Sequence, residues 1–182
     1  MTPHLPPLAL SVRQPWAWAI IHGGKVIENR SHGAIRSGGM DCRRIAIHAA
    51  TGIRRKEYDW AVWRMAQDGV TVPHPRDLVR GGIIGAVDVV DIVTSSDSPW
   101  FGGPCGLVLA APASCTPIPA KGALGYFRWE ESGTLSAPSP WMMAYGQINA
   151  DPATGDLFGT LPPGWRTPPP KPFGNKTGKE DR

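Results

Sequence analysis

Residues 8–30 read Leu-Ala-Leu-Ser-Val-Arg-Gln-Pro-Trp-Ala-Trp-Ala-Ile-Ile-His-Gly-Gly-Lys-Val-Ile-Glu-Asn-Arg, and they constrain the fold more than any other stretch. Leu8 to Val12 predicts a strand. Pro15 suits a first helical position, where its missing N–H goes unnoticed. Trp16, Ala17, Ile20 and Ile21 then share one helical face, and Gly23-Gly24 ends the helix. Lys25 to Arg30 is extended. A strand, a short helix and a second strand thus follow with almost no connecting chain, and polar residues stand at each junction.

Farther along, Gly33, Gly38 and Gly39 mark a loop, and Arg43 to Ala49 reads as a strand. Thr51 is a plausible cap for a helix from about Ile53 to Asp68, with Gly69 as its stop. Tyr58, Ala61, Val62 and Met65 form the core face of that helix. Trp60 and Trp63 fall nearly opposite, beside Lys56 and Gln67. Two adjacent indoles left bare would be a sticky patch, so another part of the chain or a partner is expected over them. Gly82 to Val93 is the strongest strand, with Gly85 permitting a bend or a close approach. Leu107 to Ala111 and Cys115 to Ile118 read as two short strands flanked by prolines, and Ala123 to Trp129 closes the ordered part.

These elements predict an α+β domain: a small curved sheet with two flanking helices. Residues 1–7 are a tail and residues 8–133 the domain. Residues 134–182 are a Pro/Gly-rich extension without sustained periodicity, expected to be extended or disordered and anchored by Trp141, Phe158 or Trp165.

With 41% hydrophobic and 19% charged residues, the 182-residue chain fits a soluble globular protein. No apolar run is long enough to cross a bilayer. The opening Met-Thr-Pro-His-Leu-Pro-Pro lacks the pattern of a secretion signal, so a cytoplasmic setting is expected. Cys42, Cys105 and Cys115 are scattered and odd in number, which argues against a disulfide framework. His4, His22, His32 and His74 have no metal-ligand spacing, so neither a metal nor another cofactor is expected. The net charge of +4 is unevenly placed, with seven basic residues between Arg30 and Lys56 opposed only by Asp41. Such a block attracts phosphates, or is simply a solvated surface.

Several residues are candidates for a site. Arg13 and Gln14 stand where the first helix begins, a place that favours an anionic group, although Gln14 serves equally as a cap for its own helix. On a regular strand Glu28 and Arg30 share a face and Lys25 points away; a twist after Gly23-Gly24 would bring Lys25 round. The alternative is a Glu28–Arg30 ion pair with Lys25 in solvent. His48 is a hydrogen-bonded wall residue or a general acid–base. Trp100, ahead of Gly102-Gly103, is a mobile stacking platform or a plug for the barrel end, and Lys121 is a second group able to meet phosphate.

Taken together, Ser11-Val-Arg-Gln-Pro-Trp16, Gly24-Lys25, Glu28-Asn-Arg30, Ile47-His-Ala49, Gly82-Ile-Ile-Gly-Ala-Val87, Trp100-Phe-Gly102 and Lys121-Gly122 make a recognisable series. From Leu8 to Glu131 the chain resembles ASCH domains. The resemblance implies a small PUA-like β-barrel with a cleft beside its first helix, proposed in that family to bind RNA. It also implies a module for single-stranded RNA or a modified nucleoside, with Arg13, Gln14, Lys25, Glu28, Arg30, His48, Trp100 and Lys121 as binding candidates. Some ASCH-like proteins deacylate modified cytidine with a lysine, a threonine and a glutamate. Lys25 matches the lysine, but Glu28 stands where the threonine nucleophile would be, which argues against that reaction here. Others cut single-stranded RNA. The alternative to binding is therefore a ribonuclease or a nucleoside-directed hydrolase, with Lys25, Glu28 and His48 as catalytic candidates. A third possibility is a protein-interaction platform through the Trp60/Trp63 face or the C-terminal extension.

Overall fold

A computed structural model describes residues 5–146. Its strands are β1 (Leu8–Val12), β2 (Ile27–Arg30), β3 (Arg44–Ala49), β4 (Gly82–Val93), β5 (Cys105–Pro119) and β6 (Tyr126–Arg128). Its helices are α1 (Trp16–His22), α2 (His32–Ser37), α3 (Arg55–Ala66) and α4 (Pro140–Met143), with a 3-10 turn at Pro75–Asp77. The sheet runs in the order β2-β5-β4-β3-β1-β6. Only β1 and β3 are parallel neighbours; the other pairs are antiparallel.

The long β4 and β5 shift register three times along their pairing, between Ile83 and Gly85, Ala86 and Asp88, and Val89 and Asp91. Each irregularity adds local bend and twist. The sheet thereby curls into a half-barrel around Leu10, Val12, Ile45, Ile47, Val87 and Leu107. Helix α1 lies across this core. A Cβ on Gly85 would stand 2.8 Å from Ile21 and 2.4 Å from the Ala113 carbonyl, so glycine is what allows the helix and the neighbouring strand so close. A second layer on the outer face contains Ala9, Ala46, Ile83 and Ala120, and a third cluster packs Tyr58, Ala61 and Met65 of α3.

The two expected helices are α1 and α3; α2 and α4 were not foreseen. The Gly-rich segment is not a plain loop: Ser31 caps α2 by accepting the Ala34 N–H at 3.1 Å. The two short strands expected at Leu107–Ala111 and Cys115–Ile118 are one continuous β5. It continues through Pro112 because Ala111, at φ 47°, begins a bulge that takes the proline out of the hydrogen-bonded ladder.

Of the extension expected to be extended or disordered, residues 134–146 are described, and they pack back on the domain. Arg80 donates to the carbonyls of Thr51 (2.7 Å) and Ala137, and the Ser136 N–H donates to the Arg80 carbonyl at 2.9 Å. Trp141 does anchor this segment, in ring contact with Tyr58 and Tyr145. Phe158 and Trp165 lie outside the described residues. Among the described residues no helix is long and apolar enough to cross a membrane.

Candidate functional site

The Gly23-Gly24 turn, with Gly24 at φ 70°, brings the chain off α1 so that the Lys25 N–H donates to the Ala19 carbonyl at 3.0 Å. Lys25 therefore lies ahead of β2, not within it, and the alternation of the strand does not govern its direction. Its Nζ donates to the Ile27 carbonyl and, at 2.6 Å, to Glu28 Oε2. The other Glu28 oxygen, Oε1, meets Arg30 Nη2 at 3.1 Å, and the same Nη2 donates to the Ser11 carbonyl at 2.9 Å. Lys25, Glu28 and Arg30 thus form one cluster between β2 and the end of β1, with side chains 5%, 12% and 22% exposed.

Burial pushes the Lys25 ammonium below its ordinary value, and Arg30 adds to this, while Glu28 pulls the other way. Burial works to raise the Glu28 carboxyl, but Lys25 and Arg30 together outweigh it and hold it low. Arg30 Nε is buried with no hydrogen-bond partner among the described residues. A donor in that position costs free energy until something accepts from it.

Beside this cluster, Glu57 in the first turn of α3 collects three donor nitrogens on one oxygen, Arg13 Nε at 3.3 Å among them. Arg13 Nη2 and Trp16 Nε1 each lie 3.0 Å from Glu57 Oε1. Glu57 is 3% exposed, and it joins the end of β1, helix α1 and helix α3.

The remaining candidates are placed otherwise. Gln14 is 1% exposed. Its Oε1 accepts the Trp18 N–H at 2.9 Å and its Nε2 donates to the Val79 carbonyl at 2.8 Å, so it caps α1 and ties it to the chain before β4. His48, also 1% exposed, alternates with the barrel-lining Ile45 and Ile47 and faces the outer layer. Its Nε2 lies 3.0 Å from the Ala120 carbonyl and its Nδ1 2.9 Å from Ser11 Oγ. A carbonyl only accepts, so Nε2 carries the proton and Nδ1 accepts from the serine hydroxyl. Burial lowers the His48 pKa, against the pull of the Ala120 carbonyl.

Trp100 is 8% exposed under the Arg64 guanidinium, 4.6 Å from its ring centre, and Asn29 Nδ2 donates to its carbonyl at 2.8 Å. The side chain is buried in the cluster that contains Tyr58, Ala61 and Met65 of α3. Lys121 is exposed, next to Gly122, whose backbone packs on His48 and Ser11. No hydrogen bond or ion pair joins it to Lys25, Glu28 or Arg30 among the described residues.

A further pair had no signal in the sequence. Cys105 Sγ lies 3.0 Å from His32 Nδ1, and Cys105 stands opposite Arg30 in the β2–β5 register. Among the described residues no group of three His, Cys, Asp or Glu side chains is arranged to hold a metal ion.

The ASCH domain family model matches residues 10–102, from the middle of β1 to the loop after Trp100, and so spans the whole charged cluster. The chain belongs to the ASCH domain family. ASCH domains share the PUA-like fold, which is commonly linked to RNA binding. The half-barrel of mixed strands with its helices agrees with that assignment. No curated protein matches this chain. Lys121 and the Cys105 side of the Cys105–His32 pair lie beyond the matched residues.

Proposed function

We propose that this ASCH domain binds single-stranded RNA or a modified nucleoside carrying phosphate, through Lys25, Arg30 and Arg13 beside α1. The observation that carries this reading is the charge of the buried cluster. Two cations meet one carboxylate, and Arg30 keeps an unsatisfied donor. Buried charge without a counter-charge is costly, and a phosphate oxygen would supply both the missing negative charge and the missing acceptor. Gln14 and His48 act in this reading as supports that fix α1 and β1, and Lys121 is an outlying cation. The test is a fluorescence-anisotropy titration of labelled single-stranded RNA at low ionic strength. Wild-type protein binds, and Arg30→Met binds about tenfold more weakly, as expected for a lost charge-assisted contact. Failure of the wild-type protein to bind any RNA refutes the proposal.

A second reading is hydrolysis of RNA or a modified nucleoside. One observation favours it: the Cys105 thiol within reach of the His32 imidazole, opposite Arg30. Cys105 is only 3% exposed, which favours binding over turnover. Deacylation by the threonine mechanism has no support, because both Glu28 oxygens are held by cations and the carboxylate is a poor nucleophile.

A further inference from the structure

Trp60 and Trp63 were expected to need a cover. Both are half-buried, yet neither packs into any of the three core clusters among the described residues. They pack instead on each other and on α1. The Trp16 and Trp60 ring centres are 5.3 Å apart, and those of Trp60 and Trp63 are 6.5 Å apart. Three indoles from two helices thus adjoin one another at tilted angles of 60° and 43°, with Trp16 also packed against the core.

We propose that Trp16, Trp60 and Trp63 form a stacking platform for the unpaired bases of single-stranded RNA, a proposal that rests on the RNA-binding reading above. Two observations select this occupant. Cations stand at the edge of the platform: Arg13, ion-paired with Glu57, keeps 39% of its side chain exposed, and Arg54 and Lys56 are exposed at the start of α3, ahead of Trp60. The platform is also continuous with the charged cluster, because Arg30 holds the Ser11 carbonyl, two residues before Arg13. A strand with its phosphates on Arg30 and Arg13 therefore meets aromatic faces next, the combination of basic track and stacked rings that single strands require.

A protein partner would want a broader apolar surface. Among the described residues the exposed large hydrophobics are Val26, Val90, Leu124, Leu135 and Met143, none of them on α3. A duplex keeps its bases stacked inside and offers the indoles no free face.

The full chain should be titrated with a labelled oligouridine strand and with an RNA duplex of the same length. Trp60→Ala and Trp63→Ala should each weaken single-strand binding about tenfold and leave duplex binding unchanged. Their salt dependence should match the wild type, since the phosphate contacts remain. Trp60→Phe/Trp63→Phe should keep most of the affinity. This double variant also covers the case in which an alanine variant melts prematurely. Saturating RNA should quench indole fluorescence in the wild type, and most of that quench should vanish in the phenylalanine variant. Wild-type binding with unaltered affinity in the alanine variants, or with no quench, overturns the platform and leaves the RNA reading intact. So does loss of a dimer in the alanine variants at unchanged RNA affinity, which would assign the face to a second copy. Absence of wild-type binding overturns both.

Discussion

Removing the Glu28 carboxylate would leave Lys25 and Arg30 as neighbouring cations with no anion between them. Glu28→Gln should therefore cost about 3 kcal/mol of stability, in the range seen when one partner of a buried pair is deleted. Lys25→Met leaves the Glu28–Arg30 pair balanced and removes a buried ammonium, so its cost should stay below about 1 kcal/mol. Urea denaturation of the two variants compares them directly, and Lys25→Met as the more damaging change would refute the charge argument. His48 gives a second prediction at this scale. In the unfolded chain its imidazole takes a proton near the ordinary value of 6.5, whereas burial lowers that value in the folded protein. Its contribution to stability is therefore complete above that pH and is lost as pH falls through the lower, folded value. The melting temperature should drop between about pH 7 and about pH 5 more steeply in the wild type than in His48→Gln.

At the scale of elements, the strands and helices with strong periodicity were legible in the sequence, and the breaks in the pattern were informative even where misread. Leu8–Val12, α1, α3 and β4 stand where their apolar spacing puts them. Pro112 and its neighbours suggested a gap between two strands; the physical event there is a bulge inside one strand, with Ala111 at φ 47°. A left-handed backbone is costly for any residue with a Cβ. Ala111→Gly should relieve it and raise stability by about 0.5–1 kcal/mol, seen as a higher urea midpoint with an unchanged slope. Helix α2 escaped notice because its six residues have no apolar face; Ser31 alone hinted at it. Lys25, Glu28 and Arg30 were legible as a trio, but their arrangement was not. That Lys25 reaches Glu28 depends on the Gly23-Gly24 turn, and that Cys105 meets His32, 73 residues away, depends on the β2–β5 pairing that sets Cys105 opposite Arg30. Long-range register of that kind has no trace in local periodicity.

Across the whole molecule, the basic block from Arg30 to Lys56 divides into two sets. Arg44 pairs with Asp88 at 2.8 Å, Arg43 with Asp41, and Arg55 approaches Asp59 at 4.0 Å. Arg36, Arg54 and Lys56 are exposed and make no ion pair among the described residues. Under the RNA reading proposed above, these three join Arg30 and Arg13 as cations that would displace counter-ions from the strand. A protein that neutralises ~3–4 phosphates of a single strand should show a log–log salt slope of about −2 to −3. Arg36→Gln or Arg54→Gln should each make that slope shallower by about 0.7, with affinity falling alike for every RNA sequence. Arg44→Gln, which removes a cation already paired with Asp88, should leave the slope unchanged. Anisotropy titrations over a series of salt concentrations measure all three variants against the wild type. Equal slopes for Arg36→Gln, Arg54→Gln and the wild type would mean that the unpaired cations of the block do not touch the phosphates, and that the field of the whole molecule, not these side chains, draws the RNA in.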